Sequence, residues 1–126
     1  MKTDITTEQD IRRLVELFYD RVKRDDLLAL FFGPGSSIDW TKHLEVMTRF
    51  WENAVFYNGS YQGNPMQTHR HLHKYKPFTR DHFKQWVFLF ATTVDELFEG
   101  SKADQVKQKA KSIAAVMEIK ITSEQP

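Results

Sequence analysis

Apolar residues recur at helical spacing in four stretches of the chain, and no segment alternates convincingly as a strand would. In the first stretch Ile11, Leu14, Val15, Phe18 and Val22 form one stripe, with Tyr19 at its edge. Thr6 with Gln9 fits a capping box, so this helix is expected to begin at Thr6 or Thr7. The following DDLLALFFGPGSS stays apolar until Gly33, Pro34 and Gly35 break it. A second helix is expected from about Asp39 to Tyr57. It turns Trp40, Leu44, Met47, Phe50, Trp51, Ala54 and Val55 inward and carries His43 within that face. NGSYQGNP then supplies turn chemistry. Thr79 can cap a third helix lined by Phe83, Trp86, Val87, Phe90, Val94, Leu97 and Phe98 and stopped by Gly100. Ser101 with Asp104 can cap a fourth, whose stripe is Val106, Ala110, Ile113, Met117 and Ile121. The pattern predicts an all-α protein.

Between the second and third helices lies GNPMQTHRHLHKYKPF, residues 63–78, which has no strong period. Pro65 suits the first position of one or two helical turns, and Lys76-Pro77 ends them. Three of the five histidines, His69, His71 and His73, fall in this stretch.

Composition narrows the classes. The 126 residues are read as one domain, 1–126, with residues 1–5 and 122–126 expected as loose termini. A formal charge of +1 argues against a broad electrostatic footprint for nucleic acid or anionic membrane. Ten Phe, three Trp and four Tyr need a large core or a flat apolar partner to pack on. Absence of cysteine removes disulfides and thiolate metal sites, which is compatible with cytoplasm. The opening residues are polar, and the longest apolar run, WVFLFA at 86–91, is too short to span a bilayer.

The residue types leave several chemistries open. On an extended chain His69, His71 and His73 point the same way and could converge on zinc, whereas on a helix the i, i+4 spacing suits His69 and His73; a fourth ligand must come from elsewhere, and no carboxylate is adjacent. A solvated histidine-rich loop is the plain alternative, above all for His71. His82 falls in the first turn of a helix and reads as a surface or capping residue. His43 alone reads as a neutral core histidine satisfied by a backbone group. Tyr19, His43 and Trp86, however, each lie on or beside the apolar stripe of a different helix, and each has a polar tip that needs a partner when buried. Together they suggest a pocket walled by Phe31, Phe32, Phe50 and Phe90. The same residues also fit a dry bundle core.

Five motifs then occur in one order: LFYDRV at 17–22, DWTKHLEVMTRFW at 39–51, GSYQGNPMQTH at 59–69, HFKQWVFLF at 82–90 and TVDELFEG at 93–100. With these the chain resembles the truncated haemoglobins, specifically group III. The resemblance implies a truncated globin fold, a helical sandwich around a haem pocket, and haem b (iron protoporphyrin IX) as cofactor. It points to His69, four positions after Pro65, as the iron-ligating proximal histidine, which leaves the iron five-coordinate for O2 or NO. A backbone carbonyl near Met66 is the implied acceptor for its other nitrogen. Tyr19 matches the distal tyrosine, His43 the distal-helix histidine and Trp86 the indole that closes the distal side. Met47 lies one turn beyond His43 against the ring, and Phe32, with Phe31, matches the phenylalanine near the haem. Lys42, Arg70, Lys74 and Arg80 are candidate partners for the propionates. Such a pocket suits gas binding, and also NO dioxygenation or peroxide chemistry, with a reductase as partner if turnover occurs. A non-haem helical domain that binds another ligand or partner, and a zinc-binding helical module, are the competing classes.

Overall fold

The computed structural model of the protein describes residues 2–32, 38–56 and 79–122. Helix α1 spans Glu8–Arg24, α2 Ala29–Phe32, α3 Trp40–Phe56, α4 Arg80–Leu97 and α5 Ser101–Thr122, and there is no strand among the described residues. The four long helices are those the apolar spacing predicts. The extra turn, α2, lies inside the apolar stretch before Gly33. Helix α1 packs on both α3 and α4, and α4 runs along α5. Two helical layers result, with Phe18, Tyr19, Phe32 and Phe90 among the largest fully buried side chains between them.

Helix ends are set by short polar side chains, not always those nearest in sequence. Helix α1 is capped by Thr7 with Asp10 in place of Thr6 with Gln9. The Asp10 carboxylate accepts from the backbone N–H groups of Thr6 and Thr7 and from the Thr6 hydroxyl, at 2.9–3.1 Å. An ionised carboxylate is a stronger acceptor than a carboxamide, which explains the choice. Asp39 accepts from Lys42 N–H at 3.2 Å and starts α3 one residue before Trp40. Asp25 accepts from the N–H groups of Leu27 and Leu28, turns the chain from α1 into α2, and takes the Gln85 amide of α4 at 2.6 Å.

The start of α5 departs from the local pattern. Its N–H groups at Lys102 and Ala103 donate to Asp4 at 3.0 and 2.9 Å, so a carboxylate from the other end of the chain replaces the Ser101–Asp104 box. The expected loose N-terminus is therefore a strap. Thr3 accepts from Glu99 N–H at 3.0 Å, Lys2 donates to the Asp95 carbonyl, and Ile5 is fully buried. Burial would raise the Asp4 carboxyl, but the N–H donors of Lys102, Ala103 and Ile5 outweigh it and hold it below its ordinary value. Residues 123–126 lie outside the described residues.

Gly100 sits at φ +149°, and a Cβ there would overlap the Asp4 side chain. Gly100→Ala is therefore expected to destabilise the fold by about 1–3 kcal/mol from backbone strain. Urea unfolding measures this; an unchanged midpoint would show that the strap does not close on this turn.

Candidate functional site

The site begins on α1. Phe18 and Tyr19 are adjacent, and both are 1% exposed, because Phe18 points to α4 while Tyr19 points to α3. On the α3 side, Asp39 sets the helix start so that Trp40 and His43 fall one turn apart. The His43 ring meets Tyr19 edge-on at 4.9 Å and Trp40 at 5.4 Å. Tyr19 also meets Trp40 at 5.5 Å and Phe32 at 6.3 Å. Lys23 lies 4.5 Å over the Trp40 ring and covers its outer face.

On the α4 side, Trp86 and Phe90 are one turn apart and stacked at 5.9 Å, and Trp51 of α3 stacks on Phe90 at 4.8 Å. Phe18 stands edge-on to Trp86 at 5.5 Å, to Phe90 at 5.1 Å and to Tyr19 at 4.8 Å. One continuous aromatic array thus joins Trp40, His43, Tyr19, Phe18, Trp86, Phe90 and Trp51 across three helices. Offset and edge-to-face pairs of this kind add roughly 0.5–1.5 kcal/mol each beyond area burial.

Three polar tips lie in this array. Burial alone pushes the Tyr19 phenol well above its ordinary value of 10.0, so the hydroxyl keeps its proton at physiological pH. His43 Nε2 is sealed from solvent. The Trp86 Nε1–H is also sealed and has no hydrogen-bond partner among the described residues. Indole nitrogen can only donate, and an unsatisfied buried donor costs about 1–3 kcal/mol. A group that brings an acceptor into this space would relieve that cost.

A sequence model of the bacterial-like globin family matches residues 3–122. The chain belongs to that family. It is similar to the group 3 truncated hemoglobin ctb of Campylobacter jejuni, at 27% identity over 118 residues and 91% of each chain. A crystal structure of group III truncated hemoglobin from Campylobacter jejuni shares its fold at a TM-score of 0.82 and 26% identity. That match covers 96% of this chain and 95% of the other. The group III resemblance, the all-α class and the truncated globin fold are thereby established, and membership of a globin family implies haem binding with a small gas ligand.

Tyr19, His43 and Phe32 come together in this globin, and Trp86 and Phe90 join them through Phe18. Met47 is buried one turn beyond His43. Phe31 is buried with its ring 4.9 Å from His82, and Phe50 is only partly buried, beside Trp51 at 5.1 Å. Arg80 is mostly exposed and pairs with Glu118 of α5 at 3.5 Å, while Lys42 is exposed. His69, His71, His73, Met66, Arg70 and Lys74 lie outside the described residues. Among the described residues no three histidine or acidic side chains cluster as a metal site would require. Sequence reasoning passed over Phe18, Trp40 and Trp51 as part of the site. They share the stripe spacing of ordinary core residues, and only their position between the polar-tipped rings distinguishes them.

No helix among the described residues is long and apolar enough to cross a membrane.

His82 closes the start of α4, as its first-turn position suggests. Its Nδ1 accepts from Thr79 N–H at 2.8 Å and lies 2.9 Å from the Thr79 hydroxyl. Burial lowers the His82 pKa against the opposing charge of Asp81, so the fold favours the neutral ring. The stabilisation is complete above the unfolded value of about 6.5 and is lost as pH falls below it through the folded value. His82→Gln keeps an acceptor without the titration. Its urea midpoint is expected to fall less than that of the wild type between pH 7 and 5; parallel curves would exclude this role.

Proposed function

We propose that the chain is a single-domain cytoplasmic haem protein that holds haem b through His69 and binds O2, or NO, under the donors Tyr19 and Trp86. The observation that carries this reading is the buried Trp86 Nε1–H, a donor with no partner among the described residues, in the same aromatic array as Tyr19 and His43. The donor set fits the cofactor that family membership implies. Phe31, Phe32, Met47, Phe50 and Phe90 supply apolar and aromatic surface for a flat macrocycle. When bound, haem supplies an iron position open to a diatomic gas.

Tyr19 stays protonated because burial disfavours phenolate, so it remains a donor. Trp86 cannot do otherwise than donate. His43, edge-on to Tyr19, limits where the phenol can swing and narrows the space beside it. Each donor aimed at a partially negative ligand contributes about 1.5–3 kcal/mol. At roughly 1.4 kcal/mol per decade this slows ligand loss by about ten- to hundredfold. A weakly charged ligand such as carbon monoxide gains much less. Tight O2 retention suits gas chemistry or sensing better than delivery. The same two protons suit NO dioxygenation or peroxide chemistry, which would draw electrons from a reductase.

Stopped-flow O2 dissociation tests the reading. Tyr19→Phe and Trp86→Phe are each expected to release O2 about ten- to hundredfold faster than the wild type, with CO release little changed. Fast release from the wild type, unaltered by either substitution, would contradict it.

A further inference from the structure

Beside the aromatic array, the turn from α1 into α2 is fastened to α4 through one side chain. Asp25 Oδ2 accepts from the N–H groups of Leu27 and Leu28, both at 3.0 Å, and Oδ1 accepts from the Gln85 side-chain amide at 2.6 Å. A carboxylate only accepts, so the Gln85 NH2 faces it, and a charged acceptor makes the bond short and strong. Helix α2 follows directly, with Phe32 6.3 Å from Tyr19 and Phe31 4.9 Å from His82. His82 and Gln85 are three residues apart on α4, so α2 and the turn before it grip one edge of that helix. Farther along α4, Arg21 of α1 donates to the Thr93 hydroxyl at 3.3 Å. Trp86 lies between the two levels at which the end of α1 holds α4.

We propose that Asp25 and Gln85 are a positioning pair for the Trp86 donor, and that their bond sets how far the pocket favours O2 over CO. This rests on Trp86 being a donor to the bound gas. Gln85 immediately precedes Trp86, so the two side chains leave α4 about 100° apart around the helix. Gln85 reaches the α1–α2 turn, while Trp86 packs on Phe18 and Phe90. A helix tied at Gln85 cannot roll about its axis without breaking that bond. A roll of about 10° would carry a group roughly 6 Å from the axis by about 1 Å. Ring contacts hold over a broad range of separations, so Phe18 and Phe90 confine the indole without fixing its N–H. A hydrogen bond, by contrast, weakens steeply with distance and angle. A gas with little negative charge gains little from the donor, so lost alignment falls on O2 and leaves CO nearly untouched. The same carboxylate starts α2, which carries Phe32 to Tyr19, so one group fixes the surroundings of both donors.

Stopped-flow release and resonance Raman of the CO complex, both on haem-loaded protein, test this. Gln85→Glu sets two carboxylates against each other, and Gln85→Met removes the amide without adding charge. Each is expected to release O2 about three- to tenfold faster than the wild type, short of the loss of a whole donor, with CO release little changed. Their iron–carbon stretching band moves part of the way toward that of Trp86→Phe. The double variant Gln85→Glu with Asp25→Asn returns both readouts toward the wild type. A carboxamide at position 25 donates to the new carboxylate while its oxygen still serves the Leu27 and Leu28 N–H groups. A role in stability alone would lower the melting temperature and leave the band where it is in the wild type. Wild-type release and an unmoved band in both single variants, beside a changed Trp86→Phe, overturn the positioning role and leave the donor in place. So does a double variant no nearer the wild type than Gln85→Glu. If Trp86→Phe itself changes neither readout, the donor falls and the positioning role falls with it.

Discussion

The arrangement turns on a hydrogen-bond donor enclosed by rings. Trp86 presents its N–H inside an interior built from Phe18, Phe90 and Trp51, where the described residues offer it no acceptor. A folded protein tolerates such a group only where other packing outweighs it or where a ligand supplies the acceptor. Here the surrounding aromatic stacking supplies the first condition, and the bulky, flat character of the walls favours the second. Tyr19 adds a phenol that its own burial keeps protonated. Both rings are held by aromatic neighbours, Tyr19 by Phe18 and His43 and Trp86 by Phe18 and Phe90.

That positioning comes from a few carboxylates at helix ends. Asp25 bends α1 into α2 and reaches Gln85 one residue before Trp86. Asp39 begins α3 and so sets the rotation of Trp40 and His43 against Tyr19. Asp4 fixes the start of α5, against which α4 lies. Between α1 and α3, Arg12 and Arg49 bridge Glu8 and Glu45 in a partly exposed ladder. Exposed pairs of this sort contribute little each, so the ladder aligns the two helices more than it stabilises them.

The four long helices were legible because each buries one stripe, and a stripe leaves a 3.6-residue period in the chain. Tyr19, His43 and Trp86 were legible for a related reason: polar-tipped rings on such stripes must point inward. The cap of α5 was not. Ser101 and Asp104 satisfy the local rule, but the carboxylate that wins is 98 and 99 residues away in sequence, and only the closed fold brings it there. Phe18 was read as core because its spacing is that of core. Its part as the joint between the Tyr19 and Trp86 groups depends on the approach of α4 to α1, which no period encodes. The assignment of His69 rested on motif resemblance alone, since the segment around it has no apolar rhythm to place it.

The central claim is that this aromatic interior accepts one haem and that His69 is its protein ligand. Titration of haem into the protein, followed by the Soret band and by resonance Raman of the ferrous form, tests it directly. The account predicts an equimolar end point and an iron–histidine stretching band that is absent in His69→Ala and returns in altered form on addition of imidazole. Failure of the wild type to take up haem saturably, or an iron–histidine band that survives in His69→Ala, would contradict it.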